Sequence, residues 1–254
     1  MGVTDVEARR AELAARLKAV RARIGDACAA AGRDPGGVTL VAVTKTFPAS
    51  DVRLLTELGV WDVGENRDQE ARPKAAECAD LAPQLTWHFI GQLQTNKASS
   101  VARYARVVHA VDRLRLVRAL GAAARRTGRV ITCLVEVSLD QDEARGGVPE
   151  PEVIVIAGAV AAEEGLVLGG VMAMAPLGVP PGPGIRDASA NRRRGARVLS
   201  GRGHSVGGNE RRFGRGHCRW RDTHSRRYGV ARRPARLRQV MSVAANGRPG
   251  TTEG

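Results

Sequence analysis

Apolar runs alternate with amphipathic stretches over the first 178 residues. The first stretch, residues 4–31, has the apolar spacing of one helical face, with Thr4 and Glu7 at the separation of a capping box. Gly32 follows as a C-terminal stop. A β-branched, apolar run at 38–45 is typical of a buried strand. The chain therefore opens with a predicted helix and a predicted strand.

The alternation continues without hairpin signals to residue 176. Predicted strands lie at 38–45, 61–66, 85–91, 107–112, 130–139 and 166–176. Predicted helices lie between and after them, at 50–58 (with Ser50 as N-cap), 67–80, 96–104, 113–127 and 151–164. Strands followed by helices indicate an α/β fold with a parallel sheet, whose chemistry gathers at the carboxyl ends of the strands. Periodicity alone does not separate an eight-stranded barrel from a doubly wound sheet.

Composition changes sharply near Gly178. Residues 1–178 carry 22 basic and 22 acidic side chains, whereas residues 179–254 carry 18 Arg, no Lys and 4 acids, so the second segment supplies the whole formal charge of +14. Large apolar residues are sparse there, so burial does not offset an ordering cost of about 1–2 kcal/mol per residue. We expect a folded domain at 1–178 and a disordered Arg/Gly/Pro-rich tail at 179–254.

Several classes of protein are excluded by simple features. The four cysteines form no C-x-x-C pair, which favours a reducing cytoplasm over a disulfide framework or a zinc site. The charged N-terminal segment MGVTDVEARR is unlike a signal peptide. Glu163 and Glu164 interrupt the longest apolar stretch, 153–170, so no membrane span is expected. We predict a cytoplasmic protein with no membrane partner and no metal. The cysteines are Cys28, Cys78, Cys133 and Cys218.

Two polar residues stand at predicted strand ends. Lys45 ends the first strand, where partial burial favours a neutral amine suited to Schiff-base chemistry; an ordinary surface lysine is the alternative. Asn66 ends the second strand and suits either a ligand contact or an Asx turn or helix cap.

Three further residues have simpler interpretations. His88 alternates with apolar neighbours, which indicates a buried, hydrogen-bonded histidine. Met172 and Met174 alternate in the last predicted strand, where core packing is the default.

Six segments in order carry a specific resemblance: VAVTKTFP, VGENRDQE, WHFIGQLQTNK, VHAVD, LVEVSLDQDEARGG and GGVMAMAP. This series, covering roughly residues 4–178, resembles the pyridoxal 5'-phosphate homeostasis proteins, whose fold is like the N-terminal barrel of alanine racemases. The resemblance implies a (β/α)8 TIM-type barrel in which Lys45 forms a Schiff base with pyridoxal 5'-phosphate, with Asn66 and Met174 near the pyridine ring. It also implies a monomer that holds the cofactor and hands it to apo-enzymes without turnover.

The chain departs from this family after the MAMAP segment. Family members continue with two more strands, ending in segments that resemble S-x-G-M-S-x-D and T-H-V-R-x-G and that together hold the cofactor phosphate. Codons compatible with residues 206–213 and 218–232, read one nucleotide later, can spell SAGMSADL and AGGATHIRVGTALLG. We therefore interpret 179–254 as a frameshifted, out-of-frame tail. About six barrel strands then remain, the first and sixth are unpaired edges, and cofactor binding is impaired.

Two alternatives stay open. A pyridoxal-phosphate-dependent amino-acid racemase would need a second acid/base residue across the cofactor from Lys45, normally brought by another domain. A nucleic-acid-binding protein would use the basic tail nonspecifically and in a salt-dependent way. We prefer the homeostasis protein to both, and we expect no specific nucleic-acid partner.

Overall fold

The computed structural model describes residues 3–139, 146–174 and 239–244. The strands are β1 (Val38–Val43), β2 (Asp62–Glu65), β3 (Thr86–Phe89), β4 (Val107–Val111), β5 (Ile131–Val137), β6 (Leu166–Ala173) and β7 (Gln239–Ala244). The α-helices are α1 (Val3–Ala30), α2 (Ala49–Glu57), α3 (Asp68–Glu77), α4 (Ala98–Val101), α5 (Leu114–Thr127) and α6 (Glu150–Ala162). Short 3-10 turns occupy Pro35–Gly37, Ala79–Leu81 and Thr95–Lys97.

All strands are parallel and follow the order β6-β5-β4-β3-β2-β1-β7. A doubly wound sheet reverses its strand order at a switch point, whereas β1 to β6 are laid down side by side in chain order. These six strands curl into a half-barrel of the alanine racemase N-terminal type. The predicted α/β fold of barrel type is thereby confirmed.

A strand from the basic segment covers the free side of β1. Residues 239–244 pair in parallel with β1 from Val38 opposite Gln239 to Val43 opposite Ala244. The expectation that β1 is an unpaired edge is therefore wrong, because the open N–H and C=O groups of an edge template another strand. Within the segment expected to be disordered, these six residues form β7. The predictions for 179–238 and 245–254 lie outside the described residues.

The outer face of the sheet carries the main apolar core. Buried side chains of β3 to β6 pack there against α4, α5 and α6. Leu116 and Leu120 of α5 and Ile131 and Val135 of β5 are all at 0% exposure in this cluster. Within the described residues β6 has a neighbouring strand on one side only, as predicted.

A smaller cluster attaches the first helix to the sheet. Leu13 and Leu17 of α1 pack with Leu54 and Leu55 of α2. Leu40 of β1 packs against the same cluster from the outer face of the sheet. The long N-terminal helix therefore packs, together with α2, on the outer face of the sheet at β1.

Gly32 ends α1 as the sequence predicts. Its φ is +59°, in the left-handed region. The Arg33 N–H donates to the Cys28 carbonyl at 2.8 Å and the Gly32 N–H to the Ala29 carbonyl at 3.1 Å. These two bonds form a Schellman motif, which satisfies carbonyls that the helix leaves free.

Three other predicted helix features are wrong. Helix α1 already includes Val3, so Thr4 lies inside it and not at its N-cap. Helix α2 begins at Ala49 after an extended Pro48, so Ser50 is its second residue. The helix expected at 96–104 is a 3-10 turn followed by the four-residue α4, which contains two serines that disfavour a helix interior.

Two predictions from the sequence concern cysteine pairing and membrane spans. Cys28, Cys78 and Cys133 are buried and free, and Cys218 lies outside the described residues. Among the helices of the described part, none has the length and apolar character needed to cross a membrane.

Two glycines of the α1 region test the account of its C-terminal end. Gly25 lies inside the helix with open space around it, so Gly25→Ala should raise the free energy of unfolding by about 0.5–1 kcal/mol. Gly32→Ala should lower it by about 1 kcal/mol, because alanine resists a positive φ. Urea unfolding of both variants measures the two changes. Equal effects of the same sign would contradict a left-handed helix end at position 32.

Candidate functional site

Lys45 lies two residues beyond the end of β1, in the loop that leads to α2. Its side chain is half-buried. No group in the described part of the chain forms a hydrogen bond or an ion pair with its ammonium. The next residue, Thr46, has a φ of +67° and is the one described non-glycine residue with positive φ. Strain of this kind concentrates at ligand sites and turns the chain sharply just after Lys45.

Helix α3 holds the backbone on both sides of Lys45. On one side, the Nζ of Lys74 donates to the carbonyl of Thr44 at 2.8 Å. On the other side, the Thr46 N–H donates to Oε2 of Glu70 at 3.3 Å. The loop that carries Lys45 is thus fixed at residues 44 and 46 by one helix.

A buried ion pair is the centre of this support. Lys74 Nζ lies 2.6 Å from Glu65 Oε1, and the two side chains are 9% and 0% exposed. The Thr44 hydroxyl donates to the same carboxylate oxygen at 2.7 Å. The pair therefore joins the end of β1, the end of β2 and α3 in one hydrogen-bonded cluster.

Asn66 directly follows β2, next to the strand that carries Lys45. A Cβ on Gly64 would meet Val41 Cγ1 at 3.3 Å and Ile90 Cδ1 at 3.2 Å, so these residues share the concave face of the sheet. Because side chains alternate along a strand, Asn66 belongs to the same face as Gly64. The cap interpretation fails, since Arg67 is the N-cap residue of α3.

The chain end of β3 packs directly on Asn66. A Cβ on Gly91 would lie 2.2 Å from the Asn66 carbonyl oxygen and 2.8 Å from its Cα. Glycine is therefore required at position 91 for the two loops to approach. This contact fixes the backbone of Asn66 from the β3 side.

Met174 follows β6 and is 65% exposed. Core packing, the default for this methionine, is wrong at this position, because no described strand covers β6 on that side. Met172, two residues earlier, is half-buried. Lys45, Asn66 and Met174 thus all lie at the carboxyl edge of the sheet, and their roles toward a cofactor stay predictions.

Three polar side chains form a chain across the concave face. His88 Nε2 lies 2.9 Å from Asp62 Oδ1, and His88 Nδ1 lies 2.9 Å from His109 Nε2. With the Asp62 carboxylate accepting from His88, the His88 Nδ1 accepts from the His109 N–H. The prediction that His88 is buried and hydrogen-bonded is confirmed. This arrangement satisfies both rings without a charged imidazole.

Glu136 is the residue that sequence reasoning missed. It lies on β5 near the carboxyl edge, is 7% exposed, and its Oε2 has no hydrogen-bond partner among the described residues. Burial and, to a smaller extent, the charge of Asp112 raise its pKa to about 7. The signal was available: Glu136 is the one charged residue in the apolar run 130–139. Strand alternation also places it opposite to the residues of β5 that face the helices.

The described residues hold no cluster of three or more His, Cys, Asp or Glu side chains that would bind a metal ion. Parts of two motifs lie outside the described residues: 140–145 of LVEVSLDQDEARGG and 175–176 of GGVMAMAP.

The first site prediction concerns the buried ion pair. Lys74→Met leaves the Glu65 carboxylate buried without its cation, which should lower the free energy of unfolding by about 3–5 kcal/mol. The double variant Glu65→Leu/Lys74→Met should recover most of this loss, because no uncompensated charge remains. Denaturant unfolding measures both variants.

A surface pair is the control for that experiment. Arg53 and Asp80 form an exposed ion pair at 2.7 Å. Arg53→Met should leave the denaturation midpoint essentially unchanged, because exposed pairs contribute little. A similar loss in Lys74→Met and Arg53→Met would contradict the proposed importance of burial.

The second site prediction concerns pH. Burial, and then His88, lower the pKa of His109 to about 3 from its ordinary 6.5. The unfolded chain therefore binds a proton below pH 6.5 that the folded chain refuses, so the free energy of unfolding falls as pH drops from 7 toward 4. The slope from this group is at most about 1.4 kcal/mol per pH unit. His109→Gln should flatten that part of the profile, and an unchanged slope would contradict a neutral His109.

The family model "Alanine racemase, N-terminal domain" matches residues 13–192. The pyridoxal phosphate homeostasis protein of Mycobacterium bovis is 42% identical over 190 residues, which cover 68% of this chain and 74% of that protein.

Two solved structures are similar to most of this chain. An unknown protein from Bifidobacterium adolescentis has a TM-score of 0.67 at 30% identity, covering 76% of this chain and 82% of that one. PipY of Synechococcus elongatus, solved with pyridoxal 5'-phosphate bound, has a TM-score of 0.57 at 30% identity, covering 70% of this chain and 81% of that one.

Proposed function

This chain belongs to the pyridoxal phosphate homeostasis proteins, and from that premise we propose that it binds pyridoxal 5'-phosphate covalently through Lys45. The bound cofactor is held for vitamin B6 homeostasis in the cytoplasm and is not turned over. The carrying observation is the position of Lys45: a half-buried amine at the carboxyl edge of a parallel sheet, with no described hydrogen-bond or ion-pair partner. Related proteins support the ligand class, since one was solved with this cofactor bound.

The other lysines are poorly suited to that role. The chain has four lysines. Lys18 is exposed on α1, and Lys97 lies in the 3-10 turn before α4. Lys74 is committed to Glu65 and to the Thr44 carbonyl. Lys45 is the remaining amine.

The chemistry of the site suits an aldehyde ligand. When bound, pyridoxal 5'-phosphate supplies a carbonyl carbon with which a neutral primary amine condenses, releasing one water molecule. Lys45 has no described carboxylate or hydrogen-bond partner, so its amine is not committed to another group of the described chain. The fixed carbonyl of Thr44 and amide of Thr46 keep the attacking side chain at the edge of the sheet.

The concave edge also offers polar groups for the rest of the ligand. Asn66 brings a side-chain amide, and Glu136 brings a buried oxygen without a partner. These groups fit a flat, polar heterocycle better than an apolar ligand. Residues 206–213 and 218–232, which stand where family members have their phosphate-binding segments, lie outside the described residues. We therefore retain the expectation of impaired binding that the out-of-frame interpretation gives.

A racemase is the less favoured function. It needs a second acid/base group facing Lys45, and the relatives of comparable length are named homeostasis proteins and not racemases. Absence of turnover is our proposal for this chain. Racemisation of a free amino acid by the purified chain, abolished by Lys45→Ala, would overturn it.

Partners are proposed at the level of chemistry. The ligand is pyridoxal 5'-phosphate, and pyridoxal-phosphate-dependent apo-enzymes are the recipients for a monomeric carrier. Nucleic-acid binding would rest on the segment 179–254, most of which lies outside the described residues. Salt-titrated binding with 179–254 removed and present separates this activity from cofactor binding.

The central prediction is a covalent label at one residue. The full chain mixed with pyridoxal 5'-phosphate should gain visible absorption, and borohydride reduction should fix the ligand on the peptide that contains Lys45. Lys45→Ala should lose both signals, because no other described lysine is free at the strand edge. Lys18→Ala, which removes an exposed lysine from α1, is the matched control and should retain both. A label on another lysine, or absorption that survives Lys45→Ala, would defeat the assignment.

A further inference from the structure

We propose that Glu136 is a ligand-binding residue of the same site, acting as a neutral carboxylic acid that donates a hydrogen bond to an anionic oxygen of the cofactor. Binding then takes up a proton from solvent. This inference rests on the proposed function and names a group that its covalent chemistry does not require.

The position of Glu136 on β5 directs it to the concave face. Val135 and Val137 belong to the core that packs on the helices. A Cβ on Gly169 of β6 would meet Thr132 Cγ2 at 2.5 Å and Leu134 Cδ2 at 2.8 Å, away from that core. Glu136 continues the alternation of Thr132 and Leu134 toward the carboxyl edge. It therefore lies on the same face and at the same edge as Asn66.

The surroundings leave its carboxyl group incompletely bonded. Within the described part of the chain, Oε2 is buried and has no hydrogen-bond partner, and it would lie 3.6 Å from a Cβ on Gly146. Gln92 Nε2 would lie 2.7 Å from that same Cβ, so an amide and a carboxyl group border one position. A buried polar atom without a partner is costly, and a site that binds a polar ligand supplies the missing partner.

Glu65 shows what a structural buried carboxylate in this chain looks like. Glu65 is 0% exposed, and a cation and a hydroxyl compensate its Oε1, from Lys74 and Thr44. Its Oε2, like that of Glu136, has no described hydrogen-bond partner, so the difference between the two residues is the cation. Glu136 has no described cation beside it. The described ionisable group that acts on Glu136 is the carboxylate of Asp112, which pairs with Arg113. Arg113 also donates a hydrogen bond to the carbonyl of Leu93. The environment of Glu136 therefore favours the protonated acid.

The charge of the ligand sets the direction of the coupling. Burial and Asp112 already raise the pKa of Glu136 to about 7. A cofactor that carries a phosphate and a phenolic oxygen is an anion, so its arrival raises this pKa further. A group whose pKa is higher in the complex than in the free protein binds ligand better at low pH. Affinity should then decline as pH rises above 7, by up to about tenfold per pH unit from this group.

Binding of pyridoxal 5'-phosphate to the full chain should be measured from pH 6 to 9 for wild type and Glu136→Gln. The ligand and Lys45 titrate identically in both proteins, so the difference between the two profiles isolates the carboxyl group. Glutamine keeps a donor but no proton equilibrium. We expect the variant to match wild type near pH 6 and to bind more tightly than wild type above pH 8. Parallel profiles over the whole range would overturn the inference.

Two further variants complete the design. Glu136→Ala removes the donor and should bind at least about tenfold more weakly at pH 6.5, whereas Glu57→Gln changes an exposed carboxylate on α2 and should follow wild type at every pH. Calorimetry at pH 8 in two buffers of different ionisation enthalpy should show more proton uptake for wild type than for Glu136→Gln. Equal uptake would contradict the proposal even if Glu136→Ala fails to fold.

The test separates this inference from the proposed function. A wild-type chain that labels at Lys45 but shows no difference from Glu136→Gln removes only the role of Glu136. A wild-type chain that forms no adduct at any pH removes both. Side-chain ¹³C titration of the ligand-free chain gives an independent check, since Glu136 should titrate near pH 7 and an ordinary value near 4.5 would contradict the premise.

Discussion

The buried pair between Glu65 and Lys74 is the interaction on which the site depends. A carboxylate at 0% exposure is tolerable only because an ammonium lies 2.6 Å away and a hydroxyl donates to the same oxygen. The ammonium must also satisfy its remaining N–H groups, and one of them donates to the carbonyl of Thr44. The electrostatic need of one buried charge thus fixes the peptide directly before Lys45. The backbone that carries the half-buried Lys45 is thereby held in place without a described bond to the Lys45 side chain.

The two faces of the sheet divide stability from chemistry. The outer face packs mainly apolar side chains against the helices, and its buried charged pair is Glu65 with Lys74. The concave face carries a second set of polar residues, in which Asp62, His88 and His109 bond to one another and Glu136 Oε2 has no described partner. A saturated network fills space and adds rigidity, whereas an unsaturated one is a reason to bind something. For this reason we propose the carboxyl edge, and not the histidine chain, as the place for a ligand.

The strand at 239–244 shows how strongly an open parallel sheet recruits a neighbour. Six residues pair with β1 in continuous register, from Val38 to Val43. Main-chain hydrogen bonding needs no particular side chains, so a segment of a very different composition from residues 1–178 still supplies it. Pairing of this kind completes an edge, and it does not by itself supply the side chains of a phosphate site.

Local patterns of alternation and helical spacing determined the number of strands from β1 to β6 and their parallel arrangement. Their side-by-side order in a barrel was predicted by the family resemblance and not by periodicity. The sequence also placed Lys45 and Asn66 at strand ends. Tertiary structure decided the rest. Lys74 meets Glu65 across nine residues and Thr44 across thirty, so no local window contains the whole cluster, and no periodicity shows that the two charges pair. The burial of Glu136 and the pairing of β7 with β1 depend likewise on chain segments brought together only by folding. Local periodicity encodes which face of the sheet a residue occupies. Its contacts on that face depend on which chain segments folding brings together.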